Sequence, residues 1–349
     1  MEDLLRRIGA AFGREMAYAP IGNGHINDTF LSEDGSVILQ RINTYVFRQP
    51  ADVMENIAAV TAHIRSKLQA EGADVRRGTL TVLPTASGDL LYADESGSWR
   101  MYAHISGTHS VEPEERTLAE FGEAARAFGH FQRMLADFPA DTLHDTIPRF
   151  HDTLWRTEQL RTAIQNCTLP ERREKAAALI ADAHALRRLA SIILDEIRAG
   201  TVPLAVTHND TKINNVLFDD LTGKAVAVID LDTVMPGSRL YDFGDAIRSG
   251  AVTAAEDEPD AQKVHFDPEA YRIFRKEYLR EMGGILTDAE RKLLLASAWV
   301  ATYECGIRFL ADYLENDIYY KTTYPEHNLI RARNQFLLLH EMMEYPDLV

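Results

Sequence analysis

The sequence predicts an α+β protein of two lobes, a small lobe of sheet plus one helix followed by a larger, mainly helical lobe, with the site between them. Three observations predict it. Short strand-like runs cluster before residue 106, and apolar residues at helical spacing fill most of the chain after it. Between two of those helical stretches, residues 207–232 read as a strand end, a polar loop and a hairpin that gather residues able to carry chemistry. With 349 residues, 46% of them hydrophobic, the chain can bury real cores in about two domains. The expected division is 1–105 and 106–349.

Taken in order, residues 3–13 suit a short amphipathic helix and Val37–Ile42 a strand. Gly22-Asn23-Gly24 falls between strand-like runs, where it serves either as a plain hairpin turn or as a turn whose backbone N–H groups approach an anion. His25 and Asn27 beside it become substrate contacts only if this turn faces Asp210. Val53, Ile57, Val60, Ile64 and Leu68 mark a helix over 51–70, and strands are expected over 80–83, 90–93 and 99–105. A connector from Ser106 to Pro113 ends the small lobe.

Beyond it, Pro113-Glu-Glu is expected to open a helix with Leu118, Phe121, Ala125, Phe128, Phe131 and Leu135 inward. Helices follow over 151–165 and 171–199, the latter stopped by Gly200. After the central stretch a helix begins near Tyr241, and the clearest late helix spans 288–314, with Trp299, Tyr303, Ile307, Leu310 and Leu314 inward. No internal repeat is evident.

The central stretch reads His208-x-Asp210-x-Lys212-x-x-Asn215, then a hairpin of Val216–Phe218 and Ala225–Ile229 turned by Asp-Leu-Thr-Gly, which returns Asp230 and Asp232 to the loop. Hard oxygens from Asn215 and from the carboxylates of Asp230 and Asp232 suit Mg²⁺. Asp210 is then free to take a proton from a hydroxyl, and Lys212 to face a transferred phosphoryl group. Asp210 alone is explained as a turn carboxylate and Asn215 alone as an Asx turn, but neither explains the set. A two-metal hydrolase built on His208, Asp210, Asp230 and Asp232 is the competing enzyme class. Asp242-Phe-Gly244 imitates a kinase magnesium motif but opens a helix, so Asp242 is expected to cap or brace the loop bearing Asp230 and Asp232.

On these motifs the chain resembles the aminoglycoside phosphotransferase-like kinases over nearly its full length. Within that family it is most similar to the N-acetylhexosamine 1-kinases, in Gly22-Asn-Gly-His-Ile-Asn-Asp-Thr-Phe, Val206-Thr-His-Asn-Asp-Thr-Lys-Ile-Asn-Asn, Ile229-Asp-Leu-Asp-Thr-Val-Met-Pro-Gly-Ser, Glu304-Cys-Gly-Ile-Arg-Phe-Leu-Ala-Asp-Tyr-Leu-Glu and Tyr324-Pro-Glu-His-Asn-Leu. The resemblance implies a protein-kinase-like fold and transfer of phosphate from ATP to the anomeric hydroxyl of GlcNAc or GalNAc. It makes Asp210 the base, Asn215 and Asp230 the magnesium ligands, and His25, Arg308 and Tyr319 sugar contacts. Gly22, Asn23 and Gly24 would cover the ATP phosphates, and the strand from Met101 through Ala103 to Ile105 would meet adenine through its backbone. Glu304 and Arg308, one helical turn apart, are equally explained as an ion pair or as a polar pair for a sugar. The small-lobe strand offers Gln40 or Arg41 where kinases carry a lysine, and the next helix offers Glu55-Asn56. That gap leaves a nucleotide-binding pseudokinase, or a kinase of aminoglycosides, choline or methylthioribose, as alternatives.

A net charge of −16 argues against a nucleic-acid partner. Part of the excess falls in Glu256, Asp257, Glu258 and Asp260, expected as a solvated loop. Cys167 and Cys305 lie in no metal or redox spacing. With no apolar run read as membrane length and an acidic N-terminus, the expected setting is the cytoplasm, with a small sugar as partner, no membrane, and a monomer or weak homodimer.

Overall fold

The structure is a computed structural model and describes residues 1–22 and 26–348, so the expectations for Asn23, Gly24 and His25 lie outside the described residues. The small lobe runs α1 (Glu2–Ala11), β1 (Tyr18–Pro20), β2 (Asp28–Ser32), β3 (Val37–Ile42), α2 (Pro50–Ala70), β4 (Val82–Leu83), β5 (Tyr92–Asp94) and β6 (Gly97–Ala103). Its strands make one antiparallel sheet in the order β1-β2-β3-β6-β4, with β5 also on β6. Alternation along β3 and β6 divides the two faces. Leu39, Trp99 and Met101 point to α1 and pack with Leu5, Ile8, Phe12 and Phe30. Tyr102 and Ile42 join Val53, Ile57, Val60 and Ile64 of α2 on the other side, and that cluster continues without a break into the large lobe.

The large lobe continues with β7 (Thr108–His109), α3 (Leu118–Met134), α4 (Thr153–Asn166), α5 (Pro170–Lys175), α6 (Ala177–Ala185), α7 (Ile192–Arg198) and β8 (Ala205–Thr207). Then come β9 (Val216–Asp219), β10 (Ala225–Val228), β11 (Met235–Gly237), α8 (Arg239–Gly250), α9 (Pro268–Met282), α10 (Asp288–Leu314) and α11 (His327–Met343). Two small sheets, β10-β9-β7 and β11-β8, lie at the cleft.

Three expectations are corrected here. The strand placed at 99–105 ends at Ala103, two residues early. The helix expected from Pro113 starts at Leu118, because Thr117 and Glu120 form a reciprocal capping box that fixes the first turn. The stretch 171–199 is broken into α5, α6, a 3₁₀ segment and α7. Its Ala-rich composition favours one helix, but the breaks let Ala176, Ala183, Leu186, Leu189 and Ala190 all pack with Tyr303, Ile307 and Leu310 of α10, and packing overrides propensity.

Helix α10 is long and apolar enough to cross a membrane by length and composition, contrary to the reading that no run approaches that length. It is the buried centre of the large lobe, and Tyr303, Ile307, Leu310 and Leu314 are buried as expected, with Trp299 only partly so.

The lobes are joined through α2. Asn56 is 1% exposed, and its Nδ2 donates to the carbonyls of His144 and Val234, both at 2.9 Å. Its Oδ1 accepts the His144 N–H at 2.9 Å. Asn56→Ala would leave those groups buried without partners and should cost about 2–3 kcal/mol, measured as a fall in the urea unfolding midpoint. An unchanged midpoint would show that the amide does not carry this join.

Candidate active site

The loop between β8 and β9 is built before it is chemical. β8 is short and pairs with β11, which places Thr207 beside Met235. Asn209 then takes a left-handed conformation, φ 65°, which Asn tolerates better than most residues. Its Nδ2 donates to Thr233 O at 2.8 Å, and Thr233 Oγ1 donates to His208 O at 2.6 Å. The two chemistry-bearing loops are therefore stitched together. Asp242 accepts the N–H groups of His208 (2.9 Å) and Asn209 (2.7 Å) and the side chain of Gln132 (2.6 Å). So Asp242 braces the Asp210 loop, not the Asp230 loop as expected, and Ser238 caps α8 instead. Short-range capping was the wrong frame for a residue whose partners lie on another element.

His208 takes the Asp210 N–H at Nδ1 (3.3 Å) and meets Ile229 O through Nε2 (2.9 Å). Asn215 Nδ2 donates to Asp210 Oδ2 at 3.0 Å and to Asp210 O at 2.8 Å. Lys212 Nζ lies 3.4 Å from Asp210 Oδ1. Burial works to raise the Asp210 carboxyl, but Lys212, then His208 and the Asn215 amide outweigh it and hold it below the usual carboxylate range. Lys212 is held above its ordinary value, chiefly by Asp210.

Asp230 is left-handed at φ 58°, and its side chain has no hydrogen-bond partner among the described residues. It opens to the cleft, yet the surrounding protein and then the charges of Asp232 and Asp210 push its carboxyl up to about 7. A carboxylate disfavoured as an anion, together with Asn215, whose Oδ1 takes no hydrogen bond among the described residues, suits a divalent cation completed by phosphate oxygens. No cluster of three or more His, Cys, Asp or Glu is preformed as a metal site among the described residues. Asp232 differs from Asp230. It is 2% exposed, ion-paired with Arg100 through Oδ1 and bonded to Asn27 Nδ2 at 2.7 Å through Oδ2. With His208 and Asp232 both engaged, the two-metal hydrolase set is not assembled.

On the small-lobe side Gly22 is exposed with φ +70°, a turn conformation that favours glycine. Met101 does not fit its expected role. Its backbone lies between Leu39 and Leu83 inside the sheet, and its side chain is 0% exposed in the core under α1. Ala103 ends β6, with its N–H on Thr81 O, and the Ile105 N–H just beyond it has no acceptor among the described residues. Arg41 faces outward, 3.8 Å from Asp28, and Glu55 pairs with His144 at the surface. Neither reaches the cleft.

On the large-lobe side Glu304 and Arg308 are not an ion pair. Glu304, 2% exposed, accepts from His151 Nδ1 at 2.8 Å and Thr153 Oγ1 at 2.5 Å, so both oxygens are used and it is no open sugar contact. Arg308 has no carboxylate or hydrogen-bond acceptor among the described residues; its guanidinium lies 5.0 Å from the Phe150 ring centre and 5.8 Å from that of Tyr320. Arg308, Tyr319, Tyr320 and Arg156 line a cavity of about 90 Å³. Arg156 is pushed down to about 10 by burial and then by the charge of Arg308. Asp312 accepts the N–H groups of Tyr319 (2.8 Å) and Tyr320 (3.0 Å) and so fixes the loop that carries them.

Sequence reasoning missed Arg156, because an arginine on an ordinary helix gives no signal. It also misplaced the acidic run. Glu256 pairs with Arg248 at 2.8 Å and is felt by Lys212, Asp257 pairs with His327 at 2.9 Å, and Arg333 Nη2 donates to Glu258 O at 2.8 Å. Glu256 and Asp257 are thus held by ion pairs, while Asp260 is exposed as expected. In Asp242→Ala the His208 and Asn209 amides lose their acceptor and should exchange roughly 10–100-fold faster by hydrogen exchange. Unchanged protection there would remove Asp242 as the brace.

Comparison with known proteins gives a family and a fold. The phosphotransferase enzyme family matches residues 17–275. Among solved structures, a choline/ethanolamine kinase family protein from Mesorhizobium loti is 20% identical, with 99% of this chain and 96% of that chain covered and a TM-score of 0.62. A spectinomycin phosphotransferase solved with ADP and spectinomycin is 13% identical, covering 99% and 98% with a TM-score of 0.61. A microcompartment-associated aminopropanol kinase is 16% identical, covering 99% of each chain with a TM-score of 0.59. These likenesses give the two-lobed kinase-like fold, and the match over residues 17–275 gives the lineage: the chain belongs to the phosphotransferase enzyme family.

Proposed function

We propose that the chain is an ATP-dependent kinase that phosphorylates the anomeric hydroxyl of an N-acetylhexosamine, GlcNAc or GalNAc, to the sugar 1-phosphate. The observation that carries the choice of acceptor is the cavity at Arg308. Two arginines face it, neither ion-paired among the described residues, and Arg156 is already lowered by burial and then by Arg308. Of the carboxylates in the lining, Asp312 is spent on backbone amides and Glu315 sits at the exposed rim. A third positive charge is unwelcome there, which disfavours choline or a polycationic aminoglycoside. A neutral sugar suits it: guanidinium N–H groups meet hydroxyls and an acetamide carbonyl, and Tyr319 and Tyr320 offer ring faces.

Asp210 orients the acceptor hydroxyl and takes its proton. A carboxylate held low is a weak base, so it acts by placement, and an anomeric hydroxyl is a better acid than an ordinary alcohol. Lys212 offsets charge on the transferred group. Ala103 and Ile105 are the backbone positions for adenine. Asn215 and Asp230 would hold magnesium, which when bound neutralises charge on the phosphates.

Asp210→Asn should lose on the order of 10²–10⁴-fold in kcat with ADP affinity nearly unchanged by calorimetry; comparable turnover would remove Asp210 as the base. ADP release with Mg-ATP, assayed over GlcNAc, GalNAc, glucose, galactose, choline and kanamycin, should be confined to the N-acetylated sugars. Arg308→Ala should raise the sugar KM about tenfold and leave the ATP KM alone. Turnover of choline or kanamycin in place of the sugars would overturn the acceptor assignment.

A further inference from the structure

In the small-lobe sheet the register sets Gln40 of β3 directly opposite Arg100 of β6. Gln40 occupies the strand position where a kinase lysine was expected, and its Oε1 accepts from Arg100 Nε at 2.9 Å. Arg100 is 1% exposed, one of the largest fully buried side chains in the chain. Its Nη1 donates to Asp232 Oδ1 and lies 4.0 Å from Met54 Sδ of α2, and its guanidinium sits 5.2 Å from the Tyr102 ring centre. The second oxygen of Asp232 holds Asn27, whose own Oδ1 accepts the Asn43 N–H at 3.0 Å. Asn27 immediately precedes β2, on the chain that leads from the Gly22 turn. One buried cation thus ties together β3, β6, α2, the segment after the glycine turn and the loop that bears Asp230.

The lysine expected on β3 is absent, yet a positive charge is present one strand away and its counter-ion is two residues from Asp230. We infer that Arg100 is the small-lobe cation of this enzyme, displaced from β3 to β6, and that with Asp232 it positions the phosphate end of the nucleotide. Arg100 is a positioning residue. It turns Asp232 away from the metal position, so that Asp230 alone presents a carboxylate, and its charge lies on the phosphate side of the sheet. Through Asp232 it also fixes Asn27, the residue that leads into β2. The inference rests on the reading of the chain as an ATP-dependent kinase.

The test compares Mg-ADP affinity by calorimetry, thermal midpoints, and the KM values for ATP and GlcNAc. In Arg100→Met, ADP affinity should fall about tenfold while the GlcNAc KM stays within about twofold. Because that variant strands a buried carboxylate, Arg100→Met/Asp232→Asn is made alongside it. It should recover the thermal midpoint without recovering ADP affinity. Gln40→Lys/Arg100→Met, which returns the cation to β3, should restore most of the ADP affinity. Recovery of ADP affinity by removing both charges would show a merely structural ion pair and overturn the inference, as would unchanged ADP affinity in Arg100→Met. A wild-type chain that binds no ADP would instead overturn the kinase reading on which it rests.

Discussion

The loop after β8 and the turn after β10 bring three carboxylates, Asp210, Asp230 and Asp232, to one end of the cleft, and their mutual repulsion has to be settled differently at each. Asp210 is settled by Lys212 and the Asn215 amide, which keep it ionised and aimed. Asp232 is settled by a buried arginine from the other lobe. Asp230 is left over, and its raised carboxyl marks where a cation is still wanted. Much of the surrounding architecture follows from holding these settlements apart. The Thr233 to His208 and Asn209 to Thr233 bonds keep the two loops in register, Asp242 fixes the first loop from below, and Asn56 of α2 fixes the second through Val234.

That dependence explains what was legible in the sequence. Local chemistry was readable: the 207–232 stretch encodes its own strand, loop and hairpin, with Gly223 at φ +65° closing the turn, and 288–314 carries both a helical pattern and the Thr287–Glu290 capping box. Relationships between distant segments were not. Glu256 and Asp257 look solvated until Arg248 and His327 claim them from other elements. Met101 was given to adenine by resemblance alone, and the structure sets it in the middle of β6, Gly97–Ala103. Gln40 looked like a gap in the catalytic equipment because the cation opposite it lies on a strand remote in sequence.

The acceptor side rests on the same logic of spending charges. Glu304 and Arg308 share a helical face, and the simplest arrangement would pair them and leave the cavity neutral. The chain spends Glu304 on His151 and Thr153 instead, and His151 in turn stacks on Tyr241 with ring centres 4.6 Å apart. The carboxylate is therefore fixed as part of the wall, and the Arg308 guanidinium lies over the rings of Phe150 and Tyr320 with no acceptor among the described residues. Arg156 donates to Phe150 O at 3.0 and 3.1 Å, which anchors the ring that Arg308 rests on. In a chain of net charge −16, two arginines kept from the nearest acids create a local site whose preference opposes that of the molecule as a whole. Long-range attraction toward this protein favours cations, while the cavity at Arg308 disfavours them, so selection of the acceptor is made at the pocket and not on approach.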